Sequence, residues 1–199
     1  GPNEVLQALF GISHAADLPS FARAVAKIHA PGLNVMYGDA QGHIAWWAAA
    51  RLHRYPDSVS TKVFLEGKMA GTDGKKPLPF HQNPRAINPP WGYVYSANNQ
   101  PDSTAGAGFV PGYYLPENRA RRITALLEAS DTWDREGVME MILDVTSPVN
   151  TEVVTALASS VAVDSLSEGE LECLDRINSW DGSYTLSNRE ALLYHRWMY

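Results

Sequence analysis

Two adjacent amides, Asn98 and Asn99, end a run of strand formers, Gly92-Tyr93-Val94-Tyr95-Ser96-Ala97, and are followed by Gln100-Pro101-Asp102. An asparagine NH2 is a neutral donor. Held at the end of a rigid β-rich element, it can support an oxygen that gains negative charge, as an oxyanion hole requires. The same residues are also turn chemistry, so on residue types alone a simple turn explains the pair better. Further on, Arg119 opens a helical pattern in Glu117-Asn118-Arg119-Ala120-Arg121-Arg122. Its guanidinium is suited to orienting a polar group or pairing with a carboxylate. Arg121 and Arg122 read as a solvated helix face.

Other chemistries have thinner support. Asp39 and Asp102 are two carboxylates of the kind a glycosidase pairs, but each stands where a turn wants Asp. The six histidines include no pair at metal-ligand spacing. His53 and His81 read as surface or loop residues. Ser103 lies in a small-residue loop without the strained elbow of a serine hydrolase. The glycines from Gly67 to Gly74 lack the Gly-Lys-Ser/Thr ending of a phosphate loop, which leaves Lys75-Lys76 as a solvated charge pair. Cys173, the single cysteine, excludes an internal disulfide, and its helical context predicts a buried structural thiol.

The elements that must carry these residues change character along the chain. Val5, Leu6, Leu9 and Phe10, then Leu18, Phe21, Val25 and Ile28, fall at helical spacing and predict two short helices, the second capped near Asp17 or Ser20 around Pro19. Leu33 to Tyr37 and His43 to Ala50 predict a β-hairpin across Gly38-Asp39-Ala40-Gln41-Gly42. The second of these strands is almost continuously apolar, which predicts cover on both faces. From Arg51 to Pro90 the glycines and prolines predict a long loop over the sheet, and the stretch from Gly92 to Asn98 is expected to return as a third strand. Near residue 118 the composition turns helical: 119–128, 132–143, 150–161, 167–177 and 190–199, with Ser167-Glu168-Gly169-Glu170 spaced as a capping box. Two regions follow, 1–117 and 118–199.

A chain of 199 residues with 45% hydrophobic content can bury one sizeable core or one and a half. The formal charge of -6 comes from interspersed acids with no basic stripe, which argues against nucleic acid as a partner. No apolar run reaches membrane-spanning length, and nothing at the start has the pattern of a signal peptide.

The order Leu33-Asn34-Val35-Met36-Tyr37-Gly38-Asp39-Ala40-Gln41-Gly42-His43-Ile44, Pro79-Phe80-His81-Gln82-Asn83-Pro84, Asn88-Pro89-Pro90-Trp91-Gly92-Tyr93-Val94, Ala97-Asn98-Asn99-Gln100-Pro101 and Arg119-Ala120-Arg121-Arg122-Ile123 resembles the middle of the large chain of penicillin acylases. Trp180-Asp181-Gly182 and the Ala-Leu-Leu-Tyr helix after it are similar to that family too. The resemblance implies an α+β fold: part of an N-terminal-nucleophile (Ntn) hydrolase αββα sandwich with antiparallel strands in 1–117, then a helical region in 118–199. It implies an autoproteolytic precursor whose exposed serine uses its own α-amine as base. Asn98 would be the oxyanion-hole asparagine, and Arg119 the arginine that orients the nucleophile's amine and that asparagine.

The nucleophile lies upstream in the family, so this segment is expected to be inactive alone and to work with the small chain and the N-terminal part of the large chain. The implied substrate is a small-molecule amide, either a β-lactam side chain or an N-acyl homoserine lactone, and the implied compartment is periplasmic or secreted. A membrane partner is not expected. Ala97 stands where better known members carry an aromatic. Phe109 falls near an acidic calcium ligand of some members, so no cofactor is expected and a calcium site of that design is not supported. The alternative is a binding or scaffold module that keeps the fold without its chemistry.

Overall fold

The structure is a computed structural model that describes residues 3–56, 59–60, 63–64, 76–101 and 114–199. The chain divides into two compact units, Gly1–Leu115 and Pro116–Tyr199. In the first, helices α1 (Val5–Ser13) and α2 (Leu18–Val25) form where the helical spacing predicts them. Asp17 caps α2: its carboxylate accepts from Ser20 N–H at 2.7 Å while the Ser20 hydroxyl receives Asp17 N–H at 3.1 Å. This reciprocal box satisfies donors that a helix start otherwise leaves without partners.

Strands β1 (Leu33–Gly38) and β2 (Ile44–Ala49) form the expected antiparallel hairpin, with Val35 opposite Trp47 and Tyr37 opposite Ala45. Asp39 organises the turn. Its Oδ1 accepts from Gln41 N–H at 3.0 Å and His43 N–H at 2.9 Å, and its Oδ2 accepts from the Tyr37 hydroxyl at 2.9 Å and lies 2.9 Å from His43 Nδ1. Partial burial pushes this carboxyl upward, but the bonds from the His43 backbone, the His43 ring and Tyr37 outweigh it and hold it near a pKa of about 2. A carboxylate depressed below its unfolded value adds stability that is present above about pH 4 and lost as pH falls towards 2. Urea titrations at pH 5 and pH 2 should therefore show an acid loss of stability in this unit that Asp39→Asn reduces.

The sheet has the order β1-β2-β5, and its third strand is a correction to the expectation. The strand beside β2 is β5 (Arg85–Ile87), antiparallel, with Trp46 opposite Ala86 and Trp47 opposite Arg85. Before it come a two-stranded ladder of β3 (His53–Arg54) and β4 (Lys76–Pro77), and a short 3-10 turn at Phe80–Gln82. The stretch from Tyr93 to Ala97 is irregular. Asn88 and Gly92, at φ of 46° and 81°, bend the chain out of the ladder around Pro89-Pro90, and the strand formers after them do not continue it.

The unit's core is Ala8, Val25, Ile28, Ala45, Trp47 and Ala49, with Phe21, Tyr37 and Phe80 packed around it. The β2 pattern also departs from expectation. Ala45, Trp47 and Ala49 are buried against the helices, whereas Ile44, Trp46 and Ala48 are only half-buried.

The second unit is helical: α3 (Asn118–Leu127), α4 (Arg135–Leu143), α5 (Pro148–Ala158), α6 (Glu168–Asn178) and α7 (Glu190–Met198). Helix α4 starts later than predicted because Asp134 caps it, accepting from Gly137 N–H at 2.8 Å. Glu170 receives Ser167 N–H at 2.8 Å, as the capping spacing predicts. Val154, Ile177, Trp180, Ala191 and Tyr194 form the core. The Trp180-Asp181-Gly182 turn anchors the unit: Ser183 N–H donates to Asp181 at 2.8 Å and the Trp180 indole donates to Ser183 O at 2.9 Å. Gly182 is required, since its φ is 83° and a Cβ there would sit 2.5 Å from Ser147 O.

Two expectations change in this unit. Cys173 is exposed, not buried; the packed stripe of α6 runs through Leu174 and Ile177, and Cys173 lies beside it. Arg121 and Arg122 are not a simple solvated face. Arg121 pairs with Glu152, with Nη1 donating at 2.9 Å, and Arg122 pairs with Asp144, with Nε donating at 2.9 Å. Both are two-pronged guanidinium–carboxylate contacts that tie α3 to other segments of the unit.

Candidate functional site

The amide pair lies at the end of the irregular run over the open face of the sheet. Ala97 is buried to 1% exposure and Asn98, next in the chain, is exposed. The backbone turns there because Asn98 has a φ of 61°, a left-handed conformation that asparagine tolerates better than other residues with a side chain. The Asn98 carbonyl accepts from Leu115 N–H at 2.9 Å, so the residue is fixed through its main chain while its side chain lies beyond a buried anchor. Asn99 is half-buried and its Nδ2 donates to Gln100 O at 3.3 Å, a local turn contact.

Beneath this run is a cavity of about 100 Å³ whose walls include Asn34, Trp46, Arg85, Tyr93, Tyr95 and Asn99. Two residues that sequence reasoning quoted without a role hold its frame. Asn83, fully buried, donates through Nδ2 to Ala48 O at 2.9 Å and Ala50 O at 2.8 Å, clamping the entry to β5 against the end of β2. Asn88 accepts from Ile44 N–H at 3.0 Å and returns its own N–H to Ile44 O at 2.9 Å. The available signal was an asparagine beside proline in both cases, Asn83-Pro84 and Asn88-Pro89, where the ladder stops and side-chain amides replace it.

Arg119 belongs to the second unit, in the first turn of α3, exposed and immediately before buried Ala120. Of the glycosidase pair, Asp39 is committed to the hairpin turn, and Asp102 lies outside the described residues. Ser103, Phe109, Lys75 and the glycines from Gly67 to Gly74 also lie outside them. His53 is in β3 and His81 is exposed. Among the described residues, no three His, Cys, Asp or Glu side chains are placed to share a metal ion. No described helix is long and apolar enough to cross a membrane.

The family model for penicillin amidase matches residues 1–199. The chain belongs to the penicillin amidase family. Among curated relatives, the acyl-homoserine lactone acylase QuiP of Pseudomonas aeruginosa is 28% identical over 96% of this chain. The chain spans about a quarter of that relative's length, 24%. Among solved structures, the thermostable penicillin G acylase of Alcaligenes faecalis superposes with a TM-score of 0.69 at 22% identity, covering 92% of this chain and 33% of that one. The likeness shows the fold: this penicillin amidase family segment is α+β with antiparallel strands, as the Ntn-hydrolase resemblance implied.

Proposed function

We propose that this chain is a segment of the large chain of an amidohydrolase that cleaves a linear amide through an acyl-enzyme, and that Asn98 supplies one donor of its oxyanion hole. The observation that carries the reading is the setting of Asn98: a left-handed backbone just after a buried anchor, with its carbonyl hydrogen-bonded and the residue exposed. A donor fixed before the reaction begins needs no reorganisation as charge develops on the substrate oxygen.

In this reading a serine elsewhere in the parent protein attacks the amide carbonyl, its proton passing to its own α-amine. The carbonyl oxygen becomes an anion supported by the Asn98 NH2. The amine product leaves with that proton, and water then hydrolyses the ester to release the carboxylic acid. Arg119, by the family resemblance, orients the nucleophile's α-amine; it is a positioning residue. The substrate is a β-lactam side-chain amide or an N-acyl homoserine lactone. The partners are the small chain and the N-terminal part of the large chain, and the compartment is periplasmic or secreted.

The test is the full-length parent. Mass spectrometry should find a self-cleaved precursor with serine at the new N-terminus, and the mature protein should hydrolyse a phenylacetyl anilide or an N-acyl homoserine lactone, which also decides the substrate class. An uncleaved protein inactive on both would instead support the binding or scaffold module. Arg119→Lys keeps the charge but loses the planar fork; it should lower kcat and shift the pH–rate profile of the mature enzyme, a change that a purely structural role would not produce.

A further inference from the structure

Helix α4 has an apolar face that the rest of this chain does not bury. Every other helix of the second unit buries at least one residue: Ala120 from α3, Val154 from α5, Ile177 from α6, Ala191 and Tyr194 from α7. Among the described residues, α4 buries none. Its sequence is nonetheless apolar, and Val138, Met139, Ile142 and Leu143 are all exposed, Ile142 to 74% and Leu143 to 71%. A helix of nine residues is shorter than the roughly 12–15 at which an isolated helix becomes even marginal in water, and helices this short draw their stability from packing. The cap from Asp134 offsets only part of that deficit.

The exposed residues are ordered along the helix. Val138 and Ile142 make one i, i+4 row, and Met139 and Leu143 make the row beside it. The groove between two such rows receives a row from a second helix, at a crossing angle of about 50°. Glu136 and Glu140 stand in the row beyond Met139 and Leu143, and Arg135 sits a turn away at the helix start. Val145, just past the helix, is exposed as well. The base is held firmly: Asp144 accepts from Arg122 Nε at 2.9 Å and from Thr146 N–H at 3.1 Å, and Thr146 bridges to Ser183.

We infer that this face is covered by an apolar helix from the part of the parent polypeptide outside these 199 residues. Two observations select that occupant. The chain spans 24% of the acylase QuiP and 33% of the penicillin G acylase chain, so relatives of this segment carry most of their length elsewhere. In addition, α4 needs its cover in order to persist as a helix, which a partner met only after folding would not supply. Two uncharged rows are also the composition of a permanent interface. The inference rests on the reading of this chain as a segment of a longer parent, and it is independent of the amide chemistry proposed for Asn98.

Hydrogen exchange read by mass spectrometry, on the full-length parent and on the 199-residue chain, tests it. Amides of residues 138–143 should exchange more slowly in the parent by about 10²-fold or more, because a covered helix opens only together with its neighbours. Equal rates in the two proteins overturn the inference, whether α4 is open in both or already covered in the shorter chain. Ile142→Asp should lower the Tm of the parent, or stop it folding, while leaving the Tm of the 199-residue chain unchanged, as surface substitutions usually do. A parent that tolerates Ile142→Asp overturns it too. A benzophenone amino acid in place of Met139 identifies the occupant. It should capture parent residues outside this segment at three- or four-residue spacing; capture of a second copy or of a different protein overturns the assignment. A parent that neither cleaves itself nor hydrolyses an amide can still protect α4, so the two readings fail separately.

Discussion

Asn98→Gly in the mature parent enzyme is expected to lower kcat by about 10²- to 10³-fold with KM little changed, the loss typical of one oxyanion donor. Glycine is the informative replacement because of the backbone. At a φ of 61° it relieves what little strain asparagine carries, whereas alanine adds about 1–2 kcal/mol and mixes a folding defect with a catalytic one. Asn98→Asp keeps the size and the turn preference but turns a donor into an anion facing a developing anion, so it should be at least as inactive as the glycine variant. If Asn98 merely shaped a turn, both replacements would leave kcat where it was. The pair of variants, read by steady-state kinetics on a chromogenic amide, therefore separates chemistry from backbone geometry.

Trp47→Ala should destabilise the first unit by about 3–5 kcal/mol, measured by urea unfolding followed by far-UV circular dichroism. Trp47 is 1% exposed and sits among Phe21, Tyr37 and the alanines of β2, its ring centroid 6.0 Å from that of Phe21. With small neighbours on its own strand, little can collapse into the space it leaves. Trp46, its neighbour in the chain, is on the other face and only half-buried, so Trp46→Ala should cost clearly less. Equal costs would mean that the two faces of β2 have been assigned wrongly. A loss of this size is a large fraction of the roughly 5–15 kcal/mol by which a domain is usually stable.

How much of this the residues disclosed depended on how local each signal was. The hairpin and the first two helices were legible because alternation, helical spacing and an Asp17 cap all act within a few positions. The third strand was not. β5 is three residues set between Pro84 and Pro89-Pro90, and its pairing with β2 depends on the Asn83 clamp reaching residues far away in sequence. The strand propensity of Tyr93-Val94-Tyr95 pointed to a ladder that the turn at Asn88 and Gly92 prevents, a case of tertiary context overriding local preference.

Arg121 and Arg122 were misread for a similar reason. Nothing in the spacing of α3 indicates that Glu152 and Asp144 come to meet them. The helical stripe that included Cys173 was wider than the surface available to pack against it. For the candidate site, residue types offered both a turn and a donor at Asn98. The resemblance points to Asn98 over Asn99, and the left-handed backbone at Asn98 suits a turn and a donor alike.

The bond from Leu115 N–H to the Asn98 carbonyl at 2.9 Å bears on how the chain tolerates changes in length. It closes the chain into a loop at its base. The length of that loop enters folding mainly through closure entropy, which rises by only about 0.6 kcal/mol for each doubling. A change in the number of residues between these two positions should therefore cost little stability while the backbone at Asn98 keeps its closing bond.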